Sequence, residues 1–222
     1  HPRSVSHAFL RAFIQRSQEF HPIIYPFTEI IMNVMKQQSK NGITDSSKLI
    51  DFSSIIPELR SKFDEIWSTY NDESQNKPKR VFCKDHSEYF LIAASGTSLL
   101  SDKLFLEMTH TFIIRSPEKS VKSMYTANEI ILKKVDYRPE LLKENFIKDF
   151  VGLKESKQLF DYLKESKKHP IVVDADDLIN NPEKVLKEYC EMIGEEFKEK
   201  MIHWESKDIK EWESEAHKMM AQ

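Results

Sequence analysis

Two short stretches set cations and hydroxyls where a phosphate can be held. The chain opens HPRSVSHAFLRAFIQRS, with Pro2, Arg3, Ser4 and Ser6 directly before an apolar-periodic run. A helix N-terminus presents unsatisfied N–H groups and about half a positive charge, so with serine hydroxyls and a cation beside it, it binds anions. The glycines of G-x-x-x-x-G-K-[ST] are missing between Arg3 and Leu10, which removes the loop that an ATPase or GTPase needs. The second stretch is TFIIRSPEKSVKSMY, where a β-rich run ends on Arg115 and Ser123 follows eight residues later. Between them Ser116 suits an N-cap and Pro117 a first helical turn. An arginine at a strand end and a serine one to two turns into the next helix can close on one phosphate from two sides, the guanidinium forked onto its oxygens.

These residues need elements to hold them. Three short, unalternating β-rich runs, RVFCKD at 80–85, HTFIIR at 110–115 and PIVVDA at 170–175, are each followed by helix, the pattern of buried parallel strands. Helical periodicity covers Ser6–Arg16, Pro26–Gln38, Ile56–Tyr70, Pro117–Lys134, Pro139–Phe150, Glu155–Lys167, Pro182–Ile193 and Lys207–Met220. The run from Pro182 is the clearest, with Asn181 as N-cap, proline at the first position, Val185, Leu186, Tyr189 and Ile193 on one face, and Gly194 past its end. Strands alternating with helices imply right-handed crossovers and a helix-rich α/β fold, a three-layer parallel sheet flanked by helices. In such sheets ligands bind at the carboxyl ends of the strands. That directs attention to Lys84, Asp85 and His86, to Arg115 and Ser116, to Asp174–Asp177, and to the opening HPRSVS.

Composition bounds the rest. At 222 residues, 40% of them hydrophobic and 14 of them Phe, the chain is long enough for one packed domain, residues 1–222, without disulfides or a structural metal. Only four glycines occur, so long helices with few tight turns are expected, and the polar stretches 37–47 and 71–79 are expected as surface loops within the domain. Net charge is −3 with both signs mixed along the helices, which speaks against a nucleic-acid groove or a membrane-binding patch. Two distant cysteines and no Asn-x-Ser/Thr site point to a cytoplasmic protein. The acidic residues Asp176 and Asp177 precede an Asn-Pro helix start and are expected as turn and capping residues, with no metal.

Four segments together resemble the sulfotransferases that use 3′-phosphoadenosine 5′-phosphosulfate (PAPS). PRSVSHAFL at 2–10 looks like that family's P-K-S-G-T-T-W loop for the 5′-phosphosulfate, and Arg115 with Ser123 matches its R-x₇-S element for the 3′-phosphate, including the R-x-P-x-K pattern. CKDH at 83–86 is similar to its K-x-H strand end, and DADDLINNPEKVLKEYCEMIG at 174–194 to its strand, acidic turn and long helix. The resemblance implies a P-loop NTPase-like sulfotransferase fold whose first strand lies upstream of residue 1. It implies donor binding by Arg3, Ser4, Val5, Ser6, His7, Arg115 and Ser123, with PAPS as co-substrate and PAP as product. Lys84 would approach the sulfuryl oxygens, Arg3 would take up charge on the leaving phosphate, and His86 would be the catalytic base, with Asp85 as its rival. An unperturbed imidazole titrates near pH ~6.5 and can take a hydroxyl proton at neutral pH. Side-chain alternation along the strand also favours His86 over Asp85 as the partner of Lys84.

The chain departs from the family in three places. Val5 stands where the loop has glycine, so a positive φ there carries strain, and a different loop conformation or a subfamily variant is implied. Arg3 replaces the loop lysine, and an R-K-G element near the C-terminus is missing. Phe20, Tyr25, Phe27, Tyr89 and Phe90 can line an acceptor pocket or belong to the core; an apolar pocket would suit a small hydroxylated acceptor, an alcohol or a phenol. The expected activity is sulfuryl transfer from PAPS to such an acceptor. The competing expectations are a catalytically silent PAP-binding module and a kinase-like phosphotransferase, the latter short of a Walker A loop.

Overall fold

The computed structural model describes residues 4–40, 55–70, 80–88, 90–91, 103–135 and 152–204. In chain order its elements are α1 (Ser6–Ile14), β1 (Phe20–Ile24), α2 (Pro26–Lys40), α3 (Ile56–Tyr70), β2 (Arg80–Lys84), α4 (Lys103–Glu107), β3 (Thr111–Ile114), α5 (Pro117–Val135), α6 (Leu153–Glu165), β4 (Ile171–Asp174), α7 (Ala175–Asn180) and α8 (Pro182–Met192), followed by a 3-10 turn at Glu199–Met201. The chain divides into two compact units, one built on residues 1–16 and 108–207 with 221–222, the other on residues 17–107 with 208–220. The expected helices over Pro139–Phe150 and Lys207–Met220 and most of the expected loops at 37–47 and 71–79 lie outside the described residues. Among the described residues no helix is long and apolar enough to cross a membrane.

The fold is α/β and helix-rich, with small parallel sheets. In the unit of residues 17–107, β1 runs parallel to β2, from Phe20 opposite Arg80 to Ile24 opposite Lys84. In the other unit β3 runs parallel to β4, from Thr111 opposite Ile171 to Ile114 opposite Asp174. Three of the four strands fall where short apolar runs bounded by breakers place them. Strand β1, sequence FHPII, is an addition, because a proline inside a run argues against a strand. Its position explains why proline is tolerated. The Tyr25 N–H donates to the Lys84 carbonyl at 2.7 Å, so by the two-residue period the N–H groups of His21 and Ile23 also face β2, and position 22 points its missing donor away.

Helix α8 forms as its sequence dictates, with one difference at its start. Leu186, Tyr189 and Cys190 are buried, Pro182 takes the first turn, and Gly194 at φ +70° lets Glu195 N–H close on the Cys190 carbonyl at 2.8 Å, a Schellman ending. The Asn181 side chain makes no capping hydrogen bond; its carbonyl alone receives Val185 N–H at 3.1 Å. Helix α6 begins two residues earlier than its periodicity suggests and ends with Lys167 at φ 59°, where Lys168 N–H reaches the Leu163 carbonyl at 2.9 Å. The acidic turn is also rearranged. Asp174 caps α7 by accepting from the N–H groups of Asp176 and Asp177, while Asp176 pairs with Lys119 at 2.7 Å, so neither of the two expected capping residues serves as the cap.

Each unit has its own apolar interior. Leu10, Ala12, Phe13, Leu163, Leu186 and Cys190 are buried in one, and Tyr25, Phe27, Ile31, Leu59, Phe63 and Phe105 in the other. Arg16, at 1% exposure, is the largest fully buried side chain among the described residues, and its guanidinium bonds Glu195 Oε2 at 2.7 Å and the Glu196 carbonyl at 3.0 Å. A buried charge is tolerated only when paired in this way.

Candidate functional site

The strand end at Lys84–Asp85–His86 gathers several polar side chains. After β1 the chain turns through Tyr25, whose φ of 57° is left-handed, and enters α2 at Pro26. The first turn of α2 has N–H groups to satisfy. Asp85 does this from the neighbouring strand: its Oδ2 accepts Phe27 N–H at 2.7 Å and Thr28 N–H at 3.2 Å, and its Oδ1 accepts the Thr28 hydroxyl and His86 N–H, the latter at 2.7 Å. Four donors on two oxygens fill the acceptor capacity of a carboxylate. Burial raises the Asp85 pKa, and these four hydrogen bonds oppose the rise without cancelling it.

The same turn shapes the surroundings of Lys84. Its Nζ lies 3.6 Å from the centroid of the Tyr25 ring and is shielded from water, although the side chain as a whole is half-buried. Among the described residues that ammonium has no hydrogen-bond acceptor. The ring face attracts it, but an aromatic face does not replace hydration. Burial therefore lowers the Lys84 pKa to about 7, with Asp85 and Glu88 acting against the shift. His86 follows at 3% exposure, its ring 5.0 Å from that of Tyr25, and Glu88 places Oε1 4.0 Å from His86 Nδ1. A lysine whose pKa burial lowers, a buried imidazole and a buried carboxylate are thus gathered within five residues of one strand end.

The opening loop and the second phosphate motif belong to the other unit. Arg3 lies outside the described residues; Ser4 and Ser6 are buried and His7 is half-buried. Val5 adopts φ 61°, ψ 17°, so the chain takes the left-handed turn that the missing glycine argues against. A β-branched residue there costs about 1–2 kcal/mol. Its carbonyl receives Ala8 N–H at 3.0 Å and Phe9 N–H at 3.3 Å. The N-cap residue Val5 makes no side-chain capping hydrogen bond and no acidic residue stands in the first turn of α1, so the positive end of the helix dipole meets no carboxylate of its own first turn.

Tyr189 of α8 ties α1 to β3. Its ring meets Phe9 edge-on at 4.8 Å and Phe13 at 5.7 Å, and its hydroxyl shares a 2.9 Å hydrogen bond with the Thr111 hydroxyl. At the far end of β3 comes Arg115, half-buried, and then Ser116, whose hydroxyl accepts Lys119 N–H at 3.3 Å as the expected N-cap of α5. Ser123 is half-buried on the second turn. Sequence reasoning passed over Ser120. It is wholly buried, its Oγ has no partner among the described residues, and it lies on the helix face of Ser116 and Ser123 at the i, i+4, i+7 spacing that is the signal for it.

The aromatic residues offered as an acceptor lining are core where they are described. Phe20, Tyr25 and Phe27 are buried, and Phe90 packs on Phe27 at 5.6 Å and on Phe105 at 4.9 Å. Among the described residues no three His, Cys, Asp or Glu side chains gather as metal ligands.

Two proteins named sulfotransferase ppzF, from Metarhizium rileyi (strain RCEF 4871) and Metarhizium majus (strain ARSEF 297), are 25% and 26% identical to this chain over 119 residues. The match covers 49% of this chain and 34% of each relative, so the chain spans about a third of the length of the curated relatives it matches. No family model matches the chain, and no solved structure matches it. The likeness is therefore partial, and it is to proteins named as sulfotransferases.

Proposed function

We propose that this chain is a sulfotransferase that moves the sulfuryl group of PAPS to the hydroxyl of a small organic acceptor and releases PAP. The observation that carries the proposal is the Lys84 ammonium, shielded from water on the face of Tyr25 with no acceptor among the described residues, two positions before a buried histidine. A buried ammonium without a hydrogen-bond acceptor is costly, and a sulfuryl or phosphate oxygen is the partner that would offset this. The sulfotransferase-named relatives support the same reading.

Sulfuryl transfer needs in-line positioning, stabilisation of charge on the leaving phosphate and a base for the acceptor hydroxyl. In this assignment the start of α1, with Arg3, Ser4, Val5, Ser6 and His7, holds the 5′-phosphate, and Arg115 with Ser123 holds the 3′-phosphate. Lys84 neutralises the sulfuryl oxygens and His86 takes the proton. Asp85 is assigned to structure, because its oxygens already hold the start of α2.

The test is isothermal titration with adenosine 3′,5′-bisphosphate, with ATP and adenosine 5′-monophosphate as controls and an Arg115→Ala variant alongside. Selective binding that collapses in the variant is expected. Equal binding of all three nucleotides, or none, would refute the donor assignment. The strained Val5 turn favours a second reading, a PAP-binding module without catalysis. It is separated from the first by turnover of PAPS with 2-naphthol or an aliphatic alcohol as acceptor, lost in His86→Ala.

A further inference from the structure

Glu88 is the one buried acid of the strand-end cluster that the roles above leave unused. At 8% exposure it is far more enclosed than a glutamate normally is, so groups nearby must compensate its charge. Two such groups lie within its own unit: His86 Nδ1 stands 4.0 Å from Glu88 Oε1, and the charge of Glu88 acts on the Lys84 ammonium. The local chain path produces the approach. Beyond β2 the backbone turns helical, with Phe90 N–H on the His86 carbonyl at 3.0 Å, which folds Glu88 back towards the imidazole two residues before it.

We infer that Glu88 is the positioning residue for His86: across 4.0 Å the charge of its carboxylate favours the tautomer with the proton on Nδ1, leaving Nε2 as the atom that accepts the acceptor's hydroxyl proton. The inference rests on the sulfotransferase assignment for its catalytic half. As the acceptor oxygen bonds to sulfur, the bridging S–O bond breaks, its electron pair stays on the phosphate of PAP, and the hydroxyl proton moves to Nε2. The imidazolium then carries a new positive charge, and the Glu88 carboxylate stands 4.0 Å from Nδ1 to stabilise it. Asp85 adjoins His86 in sequence, but its Oδ1 accepts the His86 backbone N–H and holds α2. The Tyr25 ring also stands beside the imidazole, at 5.0 Å between centroids, and the Lys84 ammonium rests on that ring. The ammonium opposes the imidazolium, so the carboxylate is what keeps the base effective.

The test uses the whole chain labelled with ¹⁵N in its histidine rings, with the His86 signals assigned by a His86→Asn variant. Long-range proton–nitrogen correlation spectra across pH are recorded for the wild type, Glu88→Gln and Glu88→Asp. The expected result is an Nδ1–H tautomer in the wild type. The titration midpoint of His86 should fall by about one pH unit in Glu88→Gln, as loss of an opposite charge at this range requires, and recover in part in Glu88→Asp. Turnover of PAPS with 2-naphthol should fall about tenfold in kcat in Glu88→Gln, a fraction of what a general base contributes, with PAP affinity and circular dichroism retained. An unchanged midpoint overturns the inference, as does a shifted midpoint with unchanged kcat. Failure of the wild type to turn over while His86 still responds to Glu88 would instead overturn the sulfotransferase assignment, and the spectra would decide the histidine–glutamate pairing on their own.

Discussion

Raising the pH from 7 to 9 should weaken PAPS binding through a single side chain, Lys84. Burial brings its pKa to about 7 in the ligand-free protein, so about half of the molecules carry the charge at pH 7 and about 1% at pH 9. An anion that needs the ammonium must first restore the proton. The affinity therefore falls by up to about 50-fold over this range, equivalent to about 2 kcal/mol. At pH 8 the bound anion draws in nearly one proton. Isothermal titration in two buffers of different ionisation enthalpy reads that uptake directly. The sign for stability is opposite to that of a lysine gaining a partner. The folded pKa lies below the unfolded 10.5, so between about pH 7 and 10.5 the unfolded chain binds more protons and the empty protein becomes more stable as pH rises. Lys84→Met should remove both effects. A flat PAPS affinity between pH 7 and 9, or the same slope in Lys84→Met, would refute the reasoning.

Three further outcomes follow from the geometry. Asp85→Asn replaces an acceptor of four hydrogen bonds by a group that must turn a donor towards α2; it should cost about 2–3 kcal/mol in urea unfolding, whereas His86→Gln should lose sulfuryl transfer while keeping the unfolding midpoint. Glu195→Gln uncouples the buried Arg16 guanidinium and should cost about 3 kcal/mol, the lower part of the range for breaking a buried pair, and a loss below about 1 kcal/mol would mean that the carbonyl of Glu196 suffices. Val5→Gly removes left-handed strain worth about 1–2 kcal/mol against an entropic cost of about 0.5–1 kcal/mol, so the unfolding midpoint should hold or rise, and a clear fall would show that Val5 contributes by packing.

What local chemistry can specify was legible. Runs such as TFII and IVVD are apolar, β-rich and bounded by breakers, and they form parallel strands. Pro182 and Gly194 bracket α8 because a fixed φ and a left-handed turn are single-residue properties. The residue types of the candidate site, from the cation–hydroxyl opening to Lys84, Asp85, His86, Arg115 and Ser123, were likewise visible as chemistry in order along the chain. Strand β1 was hidden because whether Pro22 can sit in a strand depends on which way its missing N–H points, and that is set by the pairing with β2. The division of labour at the strand end was hidden for the same reason. Asp85 becomes a structural cap only because residues 27 and 28, more than fifty positions away, bring their N–H groups to it. Lys84 acquires its lowered pKa from burial, with its ammonium on the face of Tyr25, and Glu88 meets His86 through the turn after β2. Sequence determined which chemical groups the protein has and the helices and strands that short-range sterics and periodicity specify, such as β3, β4 and α8. The tertiary structure decided which group is a cap, which a buried cation and which an imidazole's partner, because burial and field depend on neighbours that only the folded chain assembles.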